Sequence, residues 1–178
     1  MGVNNGTVTY DSSLADVANG QTVTFADFER VQQVDDIYTL TATMTDMAGN
    51  ETTASITFSA NRFGSVYDLS AMQKQNGKYL QTEEDIVFTE VNVDTLKSGE
   101  TKIKLTKNGT PRDLVEGKDY TIAVSGGNGQ WSQYVYTISK SLFTDDGRYS
   151  ISVYSVDAAS NINENIDETK NAEISFGI

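Results

Sequence analysis

The chain has 178 residues, with 13 basic and 25 acidic side chains, a formal charge of −12, and neither histidine nor cysteine. Zero cysteine excludes thiol nucleophiles, disulfides, thiolate zinc sites and iron–sulfur clusters, and zero histidine excludes the serine–histidine–acid triad and histidine-ligated metals. The acidic balance speaks against nucleic acid and anionic membranes, which require clustered Lys and Arg, and no run approaches the ~18 apolar residues of a membrane span or forms a signal-type apolar stretch.

The abundant residues are sheet formers: 21 Thr, 15 Val, 11 Ile, 9 Tyr and 7 Phe suit a pleated, half-buried surface. Five Asn-Gly pairs, at Asn5, Asn19, Asn76, Asn108 and Asn128, supply the positive φ angles of tight hairpins. The composition predicts an all-β chain.

In chain order, strands are predicted near residues 6–11, 21–28, 37–45 and 52–60. In the third, Tyr38, Leu40, Ala42 and Met44 alternate with Thr39, Thr41, Thr43 and Thr45, the period of an antiparallel sheet with one face on a core. The fourth carries Ala54, Ile56 and Phe58 inward. A junction near Asn61-Arg62-Phe63-Gly64 has no Pro- or Ser-rich spacer, so the next strand, 63–70, follows almost directly. Strand 85–94 places Ile86 and Phe88 on one parity and Val91 and Val93 on the other, which predicts a bulge near Thr89-Glu90. Strand 102–107 turns Ile103 and Leu105 inward, leaving Lys102 and Lys104 in solvent and unsuited to an isopeptide crosslink. A turn at Asn108-Gly109, a strand over 120–125, a glycine-rich turn at 126–129, Trp131 and a strand over 134–139 lead to a final hairpin.

That final hairpin repeats an earlier one. Residues 35–50, DDIYTLTATMTDMAGN, align with residues 146–161, DGRYSISVYSVDAASN, at an offset of 111. Ile56-Thr57-Phe58 aligns with Ile174-Ser175-Phe176 at an offset of 118, so the second copy carries seven extra residues in between. Each copy reads as a strand, an Asx-stabilised turn (Asp46–Asn50, Asp157–Asn161) and a returning strand.

A tyrosine opening the penultimate strand after a tight corner is the tyrosine corner of immunoglobulin-like sandwiches. The string D-G-x-Y-x-φ-x-φ-x-x-x-D-x-A-G-N, with φ apolar, resembles the signature of bacterial Ig-like (Big-type) repeat domains of Gram-positive cell-surface proteins. The departures, Asp36-Ile37 in the first copy and Ala159-Ser160-Asn161 in the second, fall at turn positions. The resemblance implies tandem antiparallel β-sandwiches that are extracellular and cell-wall associated, with neighbouring modules of the same parent as partners and no catalytic residues.

The strand count divides the chain at residue 61. Residues 62–178 hold enough strands for a complete sandwich; residues 1–61 hold four, so the chain is expected to begin part-way through a first, truncated module, with Met1-Gly2 at the cut. Two functions from different classes stay open. One is a non-catalytic structural spacer. The other is an adhesin or carbohydrate-binding module, taking a host protein or glycan on an aromatic cluster of Trp131, Tyr134 and Tyr136. An enzyme is not expected. No cofactor is required, although a Ca²⁺ site would be sought at Asp145, Asp146, Asp157 and Asn161, whose oxygens suit that ion. Three glycosylation sequons, at Asn5, Asn50 and Asn108, follow from Asx turns beside Thr-rich strands and are assigned no role.

Overall fold

The computed structural model describes residues 29–178. The strands expected over 6–11 and 21–28, and the turns at Asn5 and Asn19, lie outside the described residues. The first described sheet is a hairpin of β1 (Asp36–Thr45) and β2 (Glu51–Ala60), in register from Asp36 opposite Ala60 to Thr45 opposite Glu51. Nine further strands form two facing sheets. One contains β3 (Val66–Asp68), β4 (Ile86–Asn92), β7 (Tyr120–Ser125) and β8 (Ser132–Ile138), in the order β3-β4-β8-β7. The other contains β5 (Lys102–Lys107), β6 (Thr110–Asp113), β9 (Arg148–Val156) and β10 (Ile162–Glu164), in the order β10-β9-β5-β6, with β11 (Ile174–Gly177) also paired to β9. All named pairings are antiparallel. Lettered in chain order, with β3 as A, β4 as B, β5 as C, β6 as C′, β7 as D, β8 as E, β9 as F and β10 with β11 as G, this is A-B-E-D facing G-F-C-C′, the order of an immunoglobulin-like sandwich.

Alternation explains the core. Ile103 and Leu105 from β5, Ile151 and Val153 from β9, and Ile86 and Phe88 from β4 all point between the sheets and are buried. Phe143 packs edge-on against Tyr149 and Phe176 with ring centroids 5.3 and 5.0 Å apart. Each such side chain contributes about 1.5–3 kcal/mol by leaving water. The turn between β5 and β6 uses Asn108 and Gly109 at φ +48° and +84°, the two positive angles of a type I′ hairpin.

Two expectations are corrected. No bulge interrupts β4, which pairs residue for residue with β8 from Ile86 opposite Ile138 to Asn92 opposite Ser132. The inward set of the strand is Ile86, Phe88, Glu90 and Asn92, so the polar pair, not Val91, continues the core-facing parity, while Val93, just past the end of the strand, is buried as well. Nor, among the described residues, does the hairpin's apolar stripe face a core: Leu40, Met44, Ile56 and Phe58 are 40–62% exposed. Among the described residues β1 and β2 pair only with each other.

The internal repeat is reproduced in three dimensions. Leu40 pairs with Ile56 as Ile151 pairs with Ile174, and Tyr38 with Phe58 as Tyr149 with Phe176. Tyr38 Oη donates to Val34 O at 2.6 Å and Tyr149 Oη to Asp145 O at 2.5 Å, each four residues upstream. These are two tyrosine corners. The turns match too: Asp46 Oδ1 accepts Asn50 N and Asp157 Oδ1 accepts Asn161 N, both at 2.8 Å. The seven extra residues split the second returning strand into β10 and β11. Asn165 fills the gap, its Oδ1 accepting Val153 N at 2.7 Å and its Nδ2 donating to Ile151 O at 3.1 Å and Ala172 O at 3.0 Å.

Candidate functional site

The hairpin meets the sandwich at a buried polar junction built on the connector that follows β2. Asn61 Nδ2 reaches Asn92 Oδ1 at 2.9 Å, Asp157 Oδ2 at 2.9 Å and Asp94 Oδ2 at 3.1 Å. One amide thereby touches the ends of β4 and β9. Asp157 is fully buried. Besides Asn161 N, it accepts Asn61 Nδ2, Asn161 Nδ2 at 2.9 Å and Asn92 Nδ2 at 3.1 Å. A buried carboxylate needs such donors, because desolvation without them is costly. Asp35 closes the other side: its Oδ2 accepts the backbone N–H of Arg62 and Phe63, each at 2.7 Å. Ser59 Oγ donates to Asp94 Oδ1 at 2.7 Å, tying β2 itself to the sandwich. At Gly64, φ is +68° and a Cβ would overlap the Asn163 side-chain oxygen, so only glycine lets the connector pass.

A second polar group lies beneath the first. Glu90 is fully buried, with Oε1 accepting Ser65 Oγ and Ser155 Oγ, both at 2.5 Å, and Oε2 accepting Tyr136 Oη at 2.7 Å. Burial, then the adjacent Glu90 charge, pushes the Tyr136 phenol well above its ordinary value. The same two causes act on Tyr67, whose buried hydroxyl makes no hydrogen bond. Lys170, from the inserted segment, donates to Phe63 O and Ser65 O at 2.7 Å each, and its half-burial pulls its pKa below the usual lysine value.

The sequence-predicted residues are distributed as follows. Trp131 is half-buried and its Nε1 donates to Asp36 Oδ1 at 2.7 Å, joining the sandwich to the hairpin. Tyr134 and Tyr136 share one parity of β8, and that parity faces inward. Tyr136 stacks on Phe88 with centroids 5.0 Å apart, and the Tyr134 hydroxyl accepts Leu96 N at 2.7 Å. Their rings offer no exposed face, so the expected aromatic sugar platform is withdrawn.

The Ca²⁺ candidates do not converge either. Asp145 and Asp146 precede β9 while Asp157 and Asn161 follow it, and a nine-residue strand separates its ends by about 30 Å. Asp145 pairs with Lys107 at 2.8 Å, which holds the Asp145 carboxyl below its ordinary value. Asp157 and Asn161 bond to one another. Among the described residues no group of three or more acidic side chains is placed to hold a metal ion.

Sequence reasoning missed Asn61, Glu90, Asn92, Asn163 and Asn165. One signal was present: Asn161-x-Asn163-x-Asn165 has the period of a single strand face, unusual for solvent-facing residues before a turn. Compared with known proteins, the chain matches no protein-family model and no curated protein.

Proposed function

We propose that this chain is a non-catalytic structural segment of a bacterial cell-surface protein, in which Ig-like modules follow one another as a spacer. The carrying observation is the junction: Asn61, in a connector without spacer residues, bonds to Asn92, Asp94 and Asp157 of the sandwich. Buried, mutually satisfied polar groups fix orientation more strictly than apolar contact does, since any tilt leaves donors unpaired. A short, bonded connector is what a stiff stalk needs. The repeated hairpin geometry supports serial modules, and the resemblance to Gram-positive repeat domains supports an extracellular, wall-associated setting with neighbouring modules as partners. The buried carboxylates at the junction are saturated by protein donors, which favours a structural role over a catalytic one.

The chain has no native cysteine, so two spin labels can be introduced cleanly, at Thr43→Cys on the hairpin and Thr121→Cys on β7. Pulsed dipolar spectroscopy should give one narrow distance distribution, which broadens on adding Asn61→Ala and Ser59→Ala. A broad distribution in the otherwise native chain would overturn the stiff-spacer reading.

A further inference from the structure

Beside the junction, a half-open cleft of about 560 Å³ lies between the hairpin and the sandwich, within the size range of small-ligand sites. Its walls come from two sources. The hairpin supplies Thr39 and Thr57, and the sandwich supplies Thr95, Asn128, Gln130 and Ser132. Among the described residues no Lys or Arg lines it, and the single acid that does, Asp94, accepts Ser59 Oγ at Oδ1 and Asn61 Nδ2 at Oδ2. Among these residues an anion meets no positive side chain, and a metal cation meets a single carboxylate whose oxygens already accept hydrogen bonds, far short of the six to eight oxygens that Ca²⁺ takes. Beside the apolar side chains of Ile37, Phe58 and Val93, what the cleft presents is neutral hydroxyl and amide groups, each able to donate and accept.

Two further observations point to a ligand. Ser132 is 1% exposed, lines the cleft, and its hydroxyl has no hydrogen-bond partner; a buried hydroxyl left unmet is destabilising unless something satisfies it. The polar surface also continues beyond the cleft. Thr39 bonds to Thr57 at 3.1 Å, Thr41 to Ser55 at 3.0 Å and Thr43 to Thr53 at 3.3 Å, all exposed on one face of the hairpin. These rungs recur every second residue, about 6.6 Å apart, and lead down to the cleft at Thr39 and Thr57.

We infer that the cleft and the threonine ladder form a binding site for a neutral, extended, polyhydroxylated ligand, a linear oligosaccharide. Vicinal hydroxyls of a sugar match paired donor–acceptor side chains, and a chain of sugar rings matches a repeating row of them. The inference stands independently of the spacer reading, and it uses none of the three aromatics first considered for glycan recognition.

The test is a heteronuclear NMR titration of the full chain with maltotetraose, cellotetraose and N,N′-diacetylchitobiose. At least one should shift the amides of Thr57, Thr95, Gly127 and Asn128 in a saturable way. In Asn128→Ala/Gln130→Ala, whose side chains are exposed and outside the core, the dissociation constant should rise ~tenfold, with distant amides unmoved. Thr57→Val, close in shape, gives a second reading from the hairpin wall and should also weaken binding. The inference is overturned if none of the three probes moves those amides at millimolar concentration, if the variants bind unchanged, or if an oligogalacturonide, an acidic analogue, binds as tightly.

Discussion

Asp46 and Asp157 occupy the same position of the repeated hairpin, one in water and one buried, so the pair separates what a turn needs from what the junction needs. In Asp157→Ala, four N–H donors lose their acceptor. Three keep another: Asn61 Nδ2 retains Asn92 Oδ1, Asn92 Nδ2 retains Ser65 Oγ at 2.9 Å, and Asn161 Nδ2 retains Asn61 Oδ1 at 3.2 Å. For these the loss is about 0.5–1.5 kcal/mol each, and for the orphaned Asn161 N–H about 1–3 kcal/mol. The total is about 5 kcal/mol, a large share of the 5–15 kcal/mol typical of a domain. With a urea slope of about 2 kcal/mol/M the unfolding midpoint falls by about 2.5 M. Asp46 bonds Ala48 N, Asn50 N and Asn50 Nδ2 in the same way, but on an exposed turn, where water replaces the lost acceptor. Asp46→Ala should leave the midpoint nearly unchanged. The sole tryptophan, Trp131, sits where hairpin and sandwich meet, so its fluorescence follows both variants. Equal midpoints for the two would refute the reasoning.

Alkaline pH should destabilise the fold steeply. The Tyr67 and Tyr136 phenols are raised in the folded state, so the stability they contribute is complete below the unfolded value near 10 and is lost as pH rises above it. Two tyrosines give a slope of about −2.7 kcal/mol per pH unit. Lys170, lowered in the folded state, acts in the opposite sense below about 10.5, so the fall steepens beyond that pH. Urea midpoints from pH 9 to 12 measure it, and titration of every tyrosine near pH 10 without unfolding would contradict it. At the turn after β9, Ser160 holds φ +71° where the first copy has Gly49 at +84°. Ser160→Gly should stabilise by about 1 kcal/mol, less whatever the exposed Lys97–Ser160 bond contributes; a lowered melting temperature would refute this.

The sequence was readable where side-chain period and local chemistry agreed. Thr alternation in β1, Ile103 and Leu105 in β5, and the Asn108-Gly109 turn follow from rules that act within a few residues. The repeat was readable because the tyrosine corner and Asx turn each need fixed residue types at fixed spacing. Glu90 and Asn92 were misread because acids and amides ordinarily mark solvent. Their burial depends on Ser65, Ser155 and Asp157, which are remote in sequence and meet them only through sheet packing. Tyr134 and Tyr136 illustrate the other limit. Parity grouped them correctly on one face, but which face turns inward is decided by the opposing sheet. The metal candidates failed for a geometric reason, since a shared strand separates its two ends rather than bringing them together.

The connector's bonds also determine how tension would travel. A pull on the chain ahead of residue 61 would, by the covalent route, arrive first at β3, which pairs with β4 at three positions only and would unzip one rung at a time. Asn61 lies upstream of β3 and Lys170 grips the carbonyls of Phe63 and Ser65 just before it. Load is therefore diverted sideways into the end of β9 and the inserted segment, and several buried bonds must yield together before the weakest strand bears any force.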